Sequence, residues 1–252
     1  MRLKDRVAIV TGAGVGIGQA VAMRFAREGA RVVVAEVNSE HGKSTVRAIE
    51  QADGNAIFAQ TDVSKEQEVK AMVDMAAQRF GKIDILFNNA AILLREQEAR
   101  AHELSNETWD QTMAVNLRGY WLCSKHVIPH MLRQRQGSII QVASPTGMLG
   151  FANLTAYSTS KGGVFALTRA MAIDYAGDNI RVNAIVPGTI DTPMNAVELA
   201  NQESRQRFIA MAPAKRLGTP EDLCGLAVFL ASDESQYCVG GVYMADGGQT
   251  AV

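Results

Sequence analysis

Val7-Ala8-Ile9-Val10-Thr11-Gly12-Ala13-Gly14-Val15-Gly16-Ile17-Gly18 decides the fold. Residues 7–10 form a short apolar run of the kind carried by a strand buried on both faces. Glycines then crowd a turn, and residues 19–28 continue with helical period to a stop at Gly29. The order is strand, glycine turn, helix. Glycine accepts positive φ and lets backbone approach a ligand with no Cβ in the way. The helix start beyond the turn presents free N–H groups and the positive end of a dipole, which together suit a pyrophosphate. Gly12, Gly16 and Gly18 follow the spacing G-x-x-x-G-x-G, so the strict G-x-G-x-x-G fingerprint is not met.

Outward from this turn the alternation repeats. Residues 31–35, 56–60, 83–87, 138–142, 181–186 and 242–244 read as further buried strands. Residues 39–52, 64–80, 109–135 and 156–176 read as helices. Ser39 and Ser64 are the expected N-caps, Gly81 the expected stop, and Pro129 an expected bend. Such alternation predicts an α/β fold: a Rossmann-like, doubly wound, mainly parallel seven-stranded sheet with helices on both faces. No repeat, low-complexity tract or Pro/Gly/Ser linker interrupts it, so residues 1–252 are expected to form one domain. The least regular stretches are 91–108 and 189–220, and long loops in a compact domain point to function.

Composition narrows the setting. Apolar residues make up 47% and charged residues 20% of 252, a globular balance. Lys and Arg number 25 against 26 Asp and Glu, which gives no general pull toward nucleic acid or anionic membrane. Cys123, Cys224 and Cys238 are odd in number, far apart and without a C-x-x-C pair, so a reducing compartment is expected. Residues 7–10 are too short for a signal-peptide core, and no window approaches the roughly 18 apolar residues of a membrane span. The expected location is cytoplasmic.

Four further positions carry chemistry. Glu36 ends the second strand 20 residues after Gly16, where an acidic side chain accepts hydrogen bonds from the adenosine ribose of NAD. No Lys or Arg follows it to receive the 2′-phosphate of NADP. Two like charges about 5 Å apart repel by roughly 3 kcal/mol at an effective dielectric near 20, or about two decades of selectivity. Tyr157 and Lys161 stand four apart on a helix and share one face. A tyrosine normally ionises near pH 10, and a neighbouring ammonium is expected to lower that value. Ser144 follows the 138–142 strand and precedes Pro145, which biases it to extended backbone at the strand's carboxyl end, where open α/β sheets bind ligands.

With these motifs in order, the chain resembles the short-chain dehydrogenase/reductase family along essentially its whole length. It matches the family's turn at 11–18, Asp62-Val63, Asn88-Asn89-Ala90, Asn116, the Ser144, Tyr157 and Lys161 set, Pro187-Gly188 with Thr192, and Asp246-Gly247-Gly248. The resemblance implies that Tyr157 is the general acid/base, that Lys161 holds the nicotinamide ribose and tunes Tyr157, and that Ser144 steadies the substrate oxygen. It implies that Asn116 kinks its helix and holds a water linked to Lys161. Gly12, Val15, Gly16, Ile17 and Gly18 would cradle the pyrophosphate, Asp62 and Val63 the adenine, Asn89 and Ala90 the adenosine ribose, and Ile190 and Thr192 the carboxamide. It implies NAD as cofactor, no metal, a small-molecule alcohol, ketone or sugar substrate, and a homotetramer paired through its long helices and C-terminal strand.

Departures are few. Ala91 stands where the family usually has glycine, which is tolerable at negative φ, and Val239 stands where threonine is common. Segment 91–108 is a few residues longer than in short members. Within it, residues 95–98 read as solvated rather than as a substrate clamp. His126 and His130, four apart, lack a completing ligand and read as structural or surface residues. Two other functions compete with an NAD-dependent dehydrogenase: a 3-oxoacyl-carrier-protein reductase, which usually needs NADPH, and a non-catalytic NAD-binding sensor. The complete Ser, Tyr, Lys and Asn set argues against the sensor.

Overall fold

A computed structural model describes residues 1–251. Its sheet has the order β3-β2-β1-β4-β5-β6-β7, parallel throughout. The strands are β1 (Val7–Thr11), β2 (Arg31–Glu36), β3 (Asn55–Gln60), β4 (Ile85–Asn88), β5 (Gly137–Val142), β6 (Ile180–Pro187) and β7 (Val242–Ala245). The chain winds from β1 outward to β3, then returns to β4 on the other side of β1. The carboxyl ends of β1 and β4 therefore flank the switch point, where a doubly wound sheet opens a crevice.

Side chains alternate between the faces of each strand. Ala8 and Val10 pack with Phe25 of α1 (Gly16–Arg27), Ile49 of α2 (Ser39–Glu50) and Val228 of a late helix. Val7 and Ile9 pack on the opposite face with Val73 of α3 (Glu66–Phe80) and with Leu122 and Met131 of a later helix. Both faces of β1 are thus dry, which is why its sequence is a continuous apolar run rather than an alternating one. The expected seven strands and two helical layers are present.

The helix ends differ from expectation in detail. α2 is capped by Asn38, whose Oδ1 accepts the Glu40 and His41 N–H groups, and not by Ser39. Ser64 caps nothing: its N–H and hydroxyl both donate to Asp62 Oδ1, and α3 begins after Lys65. Gly81 ends α3 at φ +79°, as expected. The long helix begins earlier than expected, as α4 (Asn106–Met113) capped by Ser105. It passes through a π-turn at Ala114–Arg118 into α5 (Gly119–Gln134), which runs unbroken past Pro129, so the interruption falls at Asn116 and not at the proline. α6 spans Thr155–Tyr175. The expected irregular stretch 189–220 contains two helices, α7 (Ala196–Ala200) and α8 (Gln202–Met211), before α9 (Pro220–Ala231). No helix among the described residues is long and apolar enough to cross a membrane. Val252, the end of the tail expected between subunits, lies outside the described residues.

Candidate active site

A cleft runs along the carboxyl ends of the strands. Its two halves share Ile17, Asn89, Ala91, Thr192 and Met194. One half is lined by Gly12, Val15, Gly16, Glu36, Asp62, Val63 and Ala90, the other by Ser144, Tyr157, Lys161 and Ile190. Of the residues given catalytic or cofactor roles from the sequence, all line it except Gly18 and Asn116, which are buried.

The glycine turn is held from the side. Thr11 Oγ1 accepts the N–H groups of Asn89 and Ala90, and the Asn89 amide donates to the carbonyls of Thr11 and Gly12, each at 3.1 Å. The Asn89 amide nitrogen is thereby committed to the turn. Gly12 has φ +60°, and a Cβ there would sit 2.8 Å from the Ala90 Cα. A Cβ on Gly18 would collide with the Gly12 carbonyl. α1 carries no side-chain cap, so its first N–H groups have no side-chain partner. Donating N–H groups at the open helix start, glycine walls and an accepting acid beside them fit a dinucleotide. Glu36, 9% exposed, accepts the Gly14 N–H at 3.0 Å and the Asn38 N–H at 3.1 Å. No Lys or Arg lines this half of the cleft.

In the other half, Ser144 lies two residues past β5 in extended backbone at φ −160° and ψ 151° and caps a short turn through Pro145, so the expected conformation is found. Its Oγ accepts the Thr146 hydroxyl at 3.0 Å and the Thr146 N–H at 3.3 Å. Tyr157 and Lys161 share the cleft side of α6. Lys161 is buried, and its Nζ donates to the Val142 carbonyl at 2.8 Å and to Tyr120 Oη at 3.3 Å. It lies 5.8 Å from the centre of the Tyr157 ring. Burial lowers the Lys161 ammonium to about 7. Burial pushes the Tyr157 phenol up to about 12, with the Ser144 hydrogen bond and the Arg95 charge acting the other way. The expected lowering of Tyr157 by Lys161 is therefore not found in this arrangement: desolvation dominates both groups and favours the neutral form of each.

Asn116 is fully buried at the π-turn. It clamps residue 92, accepting the Ile92 N–H at 2.8 Å and donating to its carbonyl at 2.9 Å, and also donates to Ser160 Oγ at 3.3 Å. Ile190 is buried, and its carbonyl accepts from Asn195 at 2.9 Å. Ala91 does not have positive φ, so its methyl group is accommodated.

Two features escaped the sequence. Tyr120, fully buried, donates to the Val142 carbonyl at 3.1 Å and braces Lys161. Its place one helical turn after Asn116 was the available signal. The 95–98 stretch corrects the expectation in part: Glu96 and Gln97 are exposed as expected, whereas Arg95 is half-buried and Glu98 is buried. Arg95 lines the substrate half and reaches Glu198 of α7 at 2.8 Å, which balances its charge. Glu98, 8% exposed, accepts the Ala156 N–H at 3.1 Å and the Tyr157 N–H at 2.7 Å. His126 meets Glu66 and His130 meets Arg133. Among the described residues no group of three or more His, Cys, Asp or Glu is placed to hold a metal.

The chain belongs to the short-chain dehydrogenase/reductase family. A family model described as enoyl-(acyl carrier protein) reductase matches residues 12–250. A cis-4-hydroxycyclohexanecarboxylate dehydrogenase of Sinomonas cyclohexanicum is 42% identical over 248 residues, covering 98% of each chain. A 3-oxoacyl-[acyl-carrier-protein] reductase FabG of Thermotoga maritima is 39% identical over 248 residues, covering 98% of this chain and 99% of that one. Among solved structures, a putative NAD(P) dependent gluconate 5-dehydrogenase from Beutenbergia cavernae, with bound NADP at low occupancy, superposes with TM-score 0.94 at 37% identity over 99% of this chain and 98% of that one. Membership makes the chain an oxidoreductase that acts on hydroxyl groups of a small-molecule substrate with a nicotinamide cofactor.

Proposed function

We propose that the protein is an NAD-dependent dehydrogenase interconverting a secondary alcohol and a ketone, sugar and polyol hydroxyls included. The observation that carries this reading is one continuous cleft with Glu36 and no basic residue at one end and Ser144, Tyr157 and Lys161 at the other. Gly12, Val15, Gly16, Ile17 and Gly18 would hold the pyrophosphate, Glu36 the adenosine ribose, Asp62 and Val63 the adenine, and Ala90 the ribose edge. Ile190 and Thr192 would orient the nicotinamide, which supplies the hydride chemistry when bound. Ser144 Oγ holds the substrate oxygen. Tyr157 Oη takes the hydroxyl proton in oxidation and returns it in reduction. Lys161, fixed by Val142 and Tyr120, sets the charge beside Tyr157. Asn116 fixes the wall at Ile92. The test is reduced-nicotinamide absorbance with NAD and a panel of secondary alcohols.

The FabG relative favours one competing reading, a 3-oxoacyl-carrier-protein reductase. That activity, reduction of a 3-oxoacyl thioester, usually draws on NADPH, which Glu36 opposes. Binding of NAD with no turnover would favour the sensor instead.

The turn gives a direct check. Gly18→Ala must displace the Gly12 carbonyl, so NADH affinity by fluorescence titration is expected to fall at least about tenfold, equivalent to about 1.4 kcal/mol. Gly225→Ala, in α9 with nothing within 4 Å of its Cβ, should leave affinity unchanged and raise stability by about 0.5–1 kcal/mol.

The proposed tetramer rests on apolar side chains left in the open. Trp121 on α5 is 43% exposed, Ile173 on α6 is 79% exposed, and Met244 on the edge strand β7 is 40% exposed. Phe165 is buried within the protomer, so α6 would contribute Ile173 instead. Light scattering at micromolar concentration should return four times the 27.1 kDa chain mass, and a monomer mass would oppose the assembly.

A further inference from the structure

The first turn of a helix leaves N–H groups without partners and is where helices fray. Tyr157 sits in the first turn of α6, whereas Lys161 lies one turn deeper. Leu154, at the cap position of α6, offers no side-chain hydrogen bond. The missing cap comes from far away in sequence. Both oxygens of Glu98 are used, one on the Ala156 N–H and one on the Tyr157 N–H, the latter at 2.7 Å. Such charge-assisted bonds are shorter and stronger than neutral ones, and the helix dipole adds to them. Glu98 is itself fixed. It follows a short turn at Arg95–Gln97, and the chain before that turn is clamped at Ile92 by Asn116.

We infer that Glu98 is a positioning residue: through the Tyr157 backbone it holds the phenol in register with Ser144 and the substrate carbon. The inference rests on the acid/base assignment of Tyr157 above. It gives the lengthened 91–108 segment a second task besides shaping the substrate pocket, because the loop that borders the substrate also sets the reacting tyrosine.

A merely structural cap would lower stability and leave chemistry alone, which makes the two roles separable. Glu98→Ala, Tyr157→Phe and the double variant are compared with the fastest alcohol among cyclohexanol, glycerol, glucose and gluconate, below the unfolding temperature of every variant. Glu98→Ala is expected to lower kcat by about 10- to 100-fold, the cost of a displacement on the order of 1 Å in a reacting group, with KM for NAD unchanged. The double variant should be no slower than Tyr157→Phe alone, because Glu98 acts through that residue. Glu98→Gln should recover part of the loss, since its amide oxygen still accepts one N–H. Should the alanine variant not fold, the glutamine variant carries the same comparison in both backgrounds. Thr155→Val serves as the control: it removes the tie from Thr155 Oγ1 to the Ala99 carbonyl at the same helix end, and should lower Tm with kcat intact. Wild-type kcat in Glu98→Ala, or an equal further loss on top of Tyr157→Phe, overturns the inference. A Tyr157→Phe enzyme with undiminished turnover removes the acid/base assignment itself, and the positioning role with it.

Discussion

Tyr157→Phe is expected to lower kcat for alcohol oxidation by about 10²–10⁴, the range that general acid–base catalysis contributes. The substitution keeps the ring and removes the hydroxyl alone. NAD affinity should hardly change, because the glycine turn, Glu36 and Lys161 remain. The pH dependence follows from burial. Tyr157 is held up at about 12 and Lys161 down at about 7. The first proton to leave near neutrality is therefore that of Lys161, whose Nζ lies 5.8 Å from the centre of the Tyr157 ring. Below that step both groups hold their protons and neither can accept another. Above it one proton has gone, and the pair can take the proton of an alcohol. Oxidation should therefore rise with pH through a limb near neutrality and level off. Lys161→Ala removes the group that gives up its proton first and leaves the phenol's own raised value, so the limb should move upward. The same variant should weaken NAD binding, which Tyr157→Phe should not. Stopped-assay kcat across pH for the three enzymes checks both statements. More than about a tenth of wild-type turnover in Tyr157→Phe would place the proton on another group.

Preference for NAD over NADP is expected to approach two decades in kcat/KM. Glu36 is ordered by the Gly14 and Asn38 N–H groups at the cleft's basic-residue-free end. A 2′-phosphate brought within about 5 Å of a carboxylate there meets roughly 3 kcal/mol of repulsion at an effective dielectric near 20. Glu36→Ala should narrow the gap by removing the repulsion, yet should not reverse it, since no cation is present to hold a phosphate. Equal efficiency with both cofactors would contradict this account of the adenosine end. The solved relative that holds NADP makes the comparison a real contest.

The strands were readable because burial on both faces writes itself as a local run, as in β1 and β6. The site was readable where one element carries several of its members, as with Tyr157 and Lys161 on α6. What stayed hidden depends on choices between polar neighbours or on partners distant in sequence. Asn38 and Ser39 are adjacent and equally able to cap, and the backbone selects the first. α8 buries no residue, so no apolar stripe marks it. Glu98 looks like a loop acid among charged neighbours. Its partners stand 58 and 59 residues later, and only the folded chain shows them meeting. Burial of Tyr157 and Lys161, which opposes the expected lowering of the phenol, could not be read from the i,i+4 spacing that shows their proximity.

If this cleft exchanges hydride with NAD at a secondary alcohol and Tyr157 handles the proton, oxidation must yield reduced nicotinamide and ketone together. The most direct measurement mixes wild-type protein and NAD with the alcohol panel and follows reduced nicotinamide together with the ketone formed. Equal molar amounts of the two are expected from at least one alcohol, lost in Tyr157→Phe while NADH still binds. NADH binding with no reduced nicotinamide from any alcohol, and with no NADH-driven reduction of the matching ketones, would contradict hydride exchange at this cleft.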